Sequence, residues 1–353
     1  MGTESIEASF LSIFALISFF IFFLVSKYSH KIKRGALLDK DFSKPQAFHD
    51  TPVTRSGGIA ILISLSIFFY IYYLLYAEIL YNYIFISYSV FIIGFLDDLR
   101  INIKPLSRLI IMIFLLFAFI YILPIKILNI DIPFLTILMS SHMFSSIFVL
   151  LCFLFVINGA NLIDGFNGLL TINLIIINII LAYININNGN LEFSILIISQ
   201  IIILLSFLLF NFPNAKIFLG DSGAYTLGAL VGLNTIITNN LNPEISSFFF
   251  CTLLFYLFFE VFFSFLRKLL QKKNPIYPDD KHLHMLSFYK ISGIYGKNKG
   301  NYLNSVIINF FYLILIIPGL YLMLDPQLSR YWFFILLIIY LIIYSRLYSF
   351  TKN

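Results

Sequence analysis

The chain has 353 residues, 60% of them hydrophobic and only 11% charged, with a formal net charge of +6. Soluble globular proteins carry about 25% charged residues. An ordinary soluble enzyme is therefore excluded, and basic loops that meet anionic lipid explain the net charge without a nucleic-acid partner.

Apolar runs of roughly membrane-spanning length recur along the whole sequence. They predict eleven transmembrane helices, at 8–26, 57–76, 80–96, 106–123, 142–157, 168–187, 191–211, 217–237, 246–269, 302–324 and 329–347. The expected class is all-α: one polytopic integral membrane domain over 1–353. The N-terminal stretch MGTESIEAS is acidic and the positive charges follow the first span. That span therefore reads as a retained helix with its N-terminus outside, not as a cleaved signal. The positive-inside rule then fixes the other loops. Every Lys and Arg except Lys126 and Arg330 falls on the inner side, and an odd span count leaves the C-terminus cytoplasmic. Cys152 and Cys251 lie inside apolar spans and read as small core residues.

The outer connections are short and plain, and 124–141 is longer but largely apolar. Four inner segments are strongly marked. The first, GFLDDLRINIKPLSRL, puts Asp97 and Asp98 at the end of the third span. Adjacent carboxylates repel, and a cation would relieve them. Lys104 and Arg108 follow four residues apart, a spacing that shares one helix face. The second, NGANLIDGFNGLL, spaces Asn161, Asp164 and Asn167 by three, which would place all three on one side of a helix. Carboxylate and amide oxygens suit a hard cation, and amides also suit a nucleobase or sugar. Polar packing between membrane helices is the plainer alternative.

The third segment, NFPNAKIFLGDSGAYTLGAL, sets Asp221 among glycines at the start of a span. An acid there can simply cap a helix. FLGDSG also reads as a tight turn that presents one carboxylate, with Phe218 as an aromatic face for a base. The fourth, NPIYPDDKHLHMLSFYK, brings His282 and His284 beside Asp279, Asp280 and Lys281. Two histidines are too few for a structural zinc site, but they can donate to phosphate oxygens. Glu260 is a further acid, inside the ninth span. Acids, amides, bases and histidines thus collect at one membrane face, which points to an active site for an anionic substrate and a metal. A transporter would place its acids near the bilayer midplane. An enzyme for CDP-alcohols would show a denser acid motif within one short segment.

In this order, the four segments resemble the polyprenyl-phosphate N-acetylhexosaminyl-1-phosphate transferases, the glycosyltransferase family 4 enzymes that include WecA, TagO and MraY. The resemblance runs from TPVTRSGGIAI at 51–61 to DKHLHML at 280–286. Eleven spans look like the WecA branch, since MraY has ten. The resemblance implies transfer of N-acetylhexosamine 1-phosphate, GlcNAc by default, from a UDP-sugar to undecaprenyl phosphate with release of UMP. QuiNAc and FucNAc stay open as the sugar. Such a step initiates a cell-surface glycan such as O-antigen at the bacterial cytoplasmic membrane. The implied cofactor is Mg²⁺, with Mn²⁺ as a substitute. Membrane lipid is a partner, nucleic acid is not, and a homodimer is left open.

By position, the resemblance makes Asp97, Asp98 and Asp164 catalytic, with Asp97 as base toward the lipid phosphate. It makes Asp221, with Asp164, the metal ligand. It places Asn161, Asn211, Phe218, His282 and His284 at the substrate; Asn167 is counted with them, and Lys104 and Arg108 are expected from their charge to hold phosphate. The implied site is built from loops 27–56, 97–108, 158–168, 211–223 and 270–300. Asn167 stands where many bacterial members carry a second Asp, and Met285 where a third His is usual. The run of histidines followed by Phe-Glu that marks MraY is missing, which makes the phospho-MurNAc-pentapeptide transferase the alternative within the family. A phosphate nucleophile is already ionised at neutral pH, so direct attack by the lipid phosphate is expected, with no covalent enzyme intermediate.

Overall fold

A computed structural model of the chain describes residues 2–34, 37–39, 52–101, 103–275 and 279–352. Part of the expected 27–56 loop, with Lys40 and Lys44, lies outside the described residues, as does 276–278 of the 270–300 loop.

The chain folds into fourteen α-helices: α1 (Gly2–Tyr28), α2 (Gly57–Tyr76), α3 (Tyr81–Asp98), α4 (Pro105–Ile122), α5 (Pro133–Met139), α6 (His142–Ile163), α7 (Leu169–Asn187), α8 (Leu191–Asn211), α9 (Gly220–Leu241), α10 (Ser247–Leu253), α11 (Phe255–Leu270), α12 (Leu283–Tyr295), α13 (Lys297–Leu322) and α14 (Pro326–Lys352). Among the described residues, eight helices are long and apolar enough to cross a membrane, nine if α10 and α11 form one bent span. α3 and α9 are not among them. α3 carries polar residues at both ends, Asn82 near its start and Asp97 and Asp98 at its close; for α9 the reason is its place in the bundle. α9 packs against α2, α3, α6 and α7 and is buried along most of its length. A helix wrapped by other helices needs no lipid-compatible face, so Gly, Thr and Asn replace its aliphatic residues.

Small residues allow that packing. A side-chain carbon on Gly94 of α3 would lie 2.4 Å from the Ser222 amide nitrogen, so only glycine lets α3 and α9 approach this closely. At the other end of these helices a buried amide cluster ties four helices together. Tyr83 donates to Asn234 at 2.8 Å, and Asn234 donates to Asn178 at 3.0 Å and to Gln200 at 2.8 Å.

Two features depart from the expected layout. The single span over 246–269 is broken, with α10 and α11 meeting at 76°. No Pro or Gly causes the bend; the Tyr312 hydroxyl donates to the Leu253 carbonyl, satisfying a group at the break. The chain is also not purely helical. Strands β1 (Leu38–Asp39), β2 (Val53–Arg55) and β3 (Ile217–Phe218) form a small sheet in the order β1-β2-β3. β1 pairs antiparallel with β2, and β2 pairs parallel with β3, with Arg55 opposite Phe218. This sheet docks the segment before α2 against the start of α9.

Candidate active site

The ends of α3, α4, α6 and α9 converge on one hydrogen-bonded cluster. Arg108 of α4 uses one nitrogen, Nη1, to donate to Asp97 at 2.8 Å and to Asp221 at 2.9 Å. Both hydrogens of that nitrogen are thereby used. Asn161 of α6 donates to the other oxygen of Asp221 at 3.0 Å. The three charged side chains remain one-fifth to one-third exposed, so the cluster opens to the surface.

Asp98 stands apart from this group despite being adjacent in sequence. It is 1% exposed and points into the start of α9. Its Oδ1 accepts the Asp221 amide at 2.9 Å, and its Oδ2 accepts the Ser222 amide at 3.0 Å and the Ser222 hydroxyl at 2.6 Å. It caps a helix N-terminus from another helix. Gly220 permits this: its φ is +77°, and a side-chain carbon there would lie 2.6 Å from the Asp98 carboxylate. A catalytic role was the expectation for Asp98; in the structure its carboxylate positions the start of the helix that carries Asp221.

The 158–170 stretch is a helix end followed by a turn. α6 stops at Ile163 and Asp164 is its C-cap, with φ −75° and ψ 51°. Gly168, at φ +79°, starts α7. The expected shared helix face thus holds only for Asn161, and Asn167 lies in the turn. Asn167 donates to the Pro213 carbonyl at 2.8 Å. Asn211 accepts the Gly168 amide at 2.8 Å and donates to the Ile217 carbonyl at 3.0 Å. These two bonds tie the turn to the 211–218 segment, so Asn211, expected at the substrate, braces this loop. Phe218 sits half-buried on β3 at the same rim.

Asp164 is different: its carboxylate has no hydrogen bond among the described residues. Burial raises its pKa to about 7, with the Asp221 charge adding to the effect and Arg55 opposing it. Among the described residues no three His, Cys, Asp or Glu side chains form a ready-made metal cluster. A magnesium ion does not need one, because it binds through one or two carboxylates and completes its shell with water and substrate phosphates. Asp164, Asp221 and Asn161 offer hard oxygens of that kind, so the residues present fit such an ion.

Two basic residues flank the acids, and one expected residue does not. Lys104 is the N-cap of α4, exposed and without a partner among the described residues. The face it was expected to share with Arg108 therefore delivers only Arg108 to the acids. Arg55 was counted in the sequence only as an inner-loop charge. In the structure it is held by Asp39 through bonds of 3.0 and 2.7 Å, and its field reaches Asp221, Asp98 and Asp164. Its signal in sequence was faint because the strand that places it is three residues long.

The two histidines separate as well. His284 is 1% exposed, contacts the Tyr256 hydroxyl through Nδ1 at 3.3 Å and meets the Phe166 ring edge-on at 5.9 Å. A side-chain carbon on Gly165 would lie 4.0 Å from its Nε2, so this ring abuts the turn beside Asp164. His282 turns away. Its Nδ1 bonds Glu260 and its Nε2 lies beside Asp279, each at 3.2 Å, where a phosphate contact was the expectation.

A family model described as glycosyl transferase family 4 matches residues 79–239. The chain is 28% identical over 288 residues to the undecaprenyl-phosphate alpha-N-acetylglucosaminyl 1-phosphate transferase of Thermotoga maritima, covering 78% of this chain and 80% of that protein. It is 32% identical over 250 residues to the phospho-N-acetylmuramoyl-pentapeptide-transferase of Streptococcus thermophilus, covering 65% of this chain and 70% of that protein. The corresponding enzyme of Prochlorococcus marinus is 30% identical over 295 residues, covering 74% of this chain and 78% of that protein.

Proposed function

The chain belongs to glycosyl transferase family 4, and from that premise we propose that it moves GlcNAc 1-phosphate from UDP-GlcNAc to undecaprenyl phosphate. A phosphate oxygen of the lipid attacks the sugar-bearing phosphorus, the bond to the uridine-bearing phosphate breaks, and UMP leaves. Undecaprenyl-diphospho-GlcNAc remains in the membrane, ready for extension into a cell-surface glycan such as O-antigen. α3, α9 and the bent α10–α11 pair complete eleven spans, with the N-terminus outside and the site at the cytoplasmic face.

One observation carries this reading. Arg108 bridges Asp97 and Asp221 at the mouth of a cluster that also faces Asp164, which is how a site for two phosphates and a divalent ion would be laid out. Asp221 and Asp164 would hold Mg²⁺, or Mn²⁺ in its place, which neutralises and orients the diphosphate. Arg108 stabilises charge on the transferring phosphoryl group, and Arg55 adds positive potential from β2. Asp97 orients Arg108 and can take a last proton from the lipid phosphate. Asn161 fixes the rotamer of Asp221. The lipid arrives laterally in the bilayer and the nucleotide from water, so a site at the helix ends serves both.

The matches to pentapeptide transferases favour a second reading, phospho-MurNAc-pentapeptide transfer. Purified protein incubated with undecaprenyl phosphate and either UDP-GlcNAc or UDP-MurNAc-pentapeptide separates the two. Lipid-linked product from UDP-GlcNAc supports the proposal, and product from the pentapeptide donor alone replaces it with the second reading.

A further inference from the structure

A cavity of about 420 Å³ lies at the end of the bundle away from the site, and its volume is that of a small-molecule pocket. It is walled by the end of α2, the starts of α3 and α8 and the ends of α4 and α9. The other ends of α3, α4 and α9 carry Asp98, Arg108 and Asp221, so the bundle separates this cavity from the reaction proposed above.

Its charge is one-sided. Two carboxylates line it, Glu78 just past α2 and Glu192 in the first turn of α8. Neither makes an ion pair among the described residues, and no lining residue is basic. Lys126, three residues beyond Leu123, is exposed and does not line the cavity. Two exposed acids at helix ends mark nothing by themselves.

Tyr72 supplies an independent observation. It is 3% exposed and lines the cavity, and the charges of Glu78 and Glu192 both reach it. Phe68 and Tyr76 hold its ring, with centroids 5.9 and 4.6 Å away. The neighbouring hydroxyls are used: Tyr76 donates to Glu7 at 3.0 Å and Tyr83 to Asn234 at 2.8 Å. The Tyr72 hydroxyl has no hydrogen-bond partner among the described residues. A buried tyrosine hydroxyl normally finds one, so this one is left to whatever fills the cavity.

The rest of the lining narrows the ligand. A hard metal ion takes about six oxygens, whereas Leu80, Leu123, Leu196 and Ile237 offer hydrocarbon. An organic ammonium fits better. The carboxylates answer its charge, and the aromatic rings of Tyr81 and Phe193 attract a cation placed over them. The cavity sits at the ends of membrane-crossing helices, at the level of lipid headgroups. An ammonium that arrives there attached to acyl chains meets the acids and the hydrocarbon together.

We infer that this cavity binds a phospholipid with a primary-ammonium headgroup, from the leaflet away from the site, with Glu78 and Glu192 facing the ammonium and Tyr72 donating to a lipid oxygen. The inference goes beyond the proposed reaction and does not rest on it.

Native mass spectrometry of the full chain in non-ionic detergent tests it, with phosphatidylethanolamine and phosphatidylglycerol of identical acyl chains as probes. The wild type is expected to bind the ethanolamine lipid about tenfold more tightly, the scale of a cation–π contact added to an exposed ion pair. Glu78→Gln combined with Glu192→Gln is expected to abolish that preference and to leave the unfolding midpoint in lipid-free detergent unchanged. Tyr72→Phe keeps the ring and is expected to weaken binding of the ethanolamine lipid about fivefold, the scale of one hydrogen bond. Equal binding of the two lipids by the wild type, or a preference that survives in the double variant, overturns the inference. Soluble ethanolamine that competes as well as its lipid overturns the lipid source and assigns the cavity to a soluble amine.

Discussion

Asp98 on α3 caps the helix that carries Asp221, accepting the Asp221 amide at 2.9 Å and the Ser222 amide at 3.0 Å. Two neighbouring aspartates therefore do unlike work. Asp98→Ala leaves buried amides without an acceptor, and each such group costs about 1–3 kcal/mol. The expected result is a lower unfolding midpoint together with lost turnover. Asp98→Asn, which keeps one oxygen, should fall between. Asp97→Asn should leave the midpoint nearly unchanged while turnover drops. Thermal unfolding in detergent beside an activity assay checks this, and equal destabilisation by the Asp97 and Asp98 variants would contradict it.

Arg108 spans two carboxylates through a single nitrogen. Arg108→Ala leaves Asp97 and Asp221 as facing like charges and removes the cation over the phosphates. Turnover should fall about 10²–10³-fold, the scale of losing one transition-state stabiliser. Arg108→Lys keeps the charge but not the fork, and should recover only part of the rate. Full activity in the Lys variant would argue for a bulk-charge role.

Burial pushes the His284 pKa to about 3, helped by the His282 charge, against about 6.5 in an unfolded chain. The folded protein keeps this ring neutral while the unfolded chain takes up a proton below about 6.5. The stability it confers is therefore complete above that pH and is lost as pH falls from about 6.5 toward 3, at a slope of up to about 1.4 kcal/mol per pH unit. Unfolding midpoints measured from pH 7.5 to 5 should decline, and His284→Asn should flatten part of the decline. An unchanged slope in that variant would contradict the assignment.

Asn234, fully buried on α9, links Tyr83, Asn178 and Gln200 at the end of the bundle away from the site. Asn234→Leu strands these partners in an apolar interior and should cost about 1–3 kcal/mol. At a temperature where the variant is still folded, KM for both substrates should match the wild type. A changed KM would mean that the cluster reaches the site.

The long apolar runs made the helices legible, and the one-sided collection of polar residues pointed to the end of the bundle where Asp97, Arg108, Asn161 and Asp221 meet. Both signals are local in sequence. What stayed hidden depends on long-range partners. The β1-β2-β3 sheet joins strands of two and three residues, too short to show alternation, across a gap from Arg55 to Phe218. Nothing in the neighbourhood of Asn211 reveals that its amide bonds Gly168 and Ile217. His282 is two positions from His284, yet it faces Glu260 and Asp279. The break at Leu254 lacks the Pro or Gly that usually announces one.

The most direct test of the proposed chemistry follows the phosphorus atom. Protein in membranes is given Mg²⁺, undecaprenyl phosphate and UDP-GlcNAc labelled in the sugar-bearing phosphate, beside Asp221→Asn. The expected result is label in the lipid, one unlabelled UMP for each lipid product, and neither in the variant. Label that stays in UDP while the sugar moves to lipid would mean glycosyl transfer rather than phosphosugar transfer. Wild-type protein that is folded yet yields no lipid product from this donor would contradict the proposal.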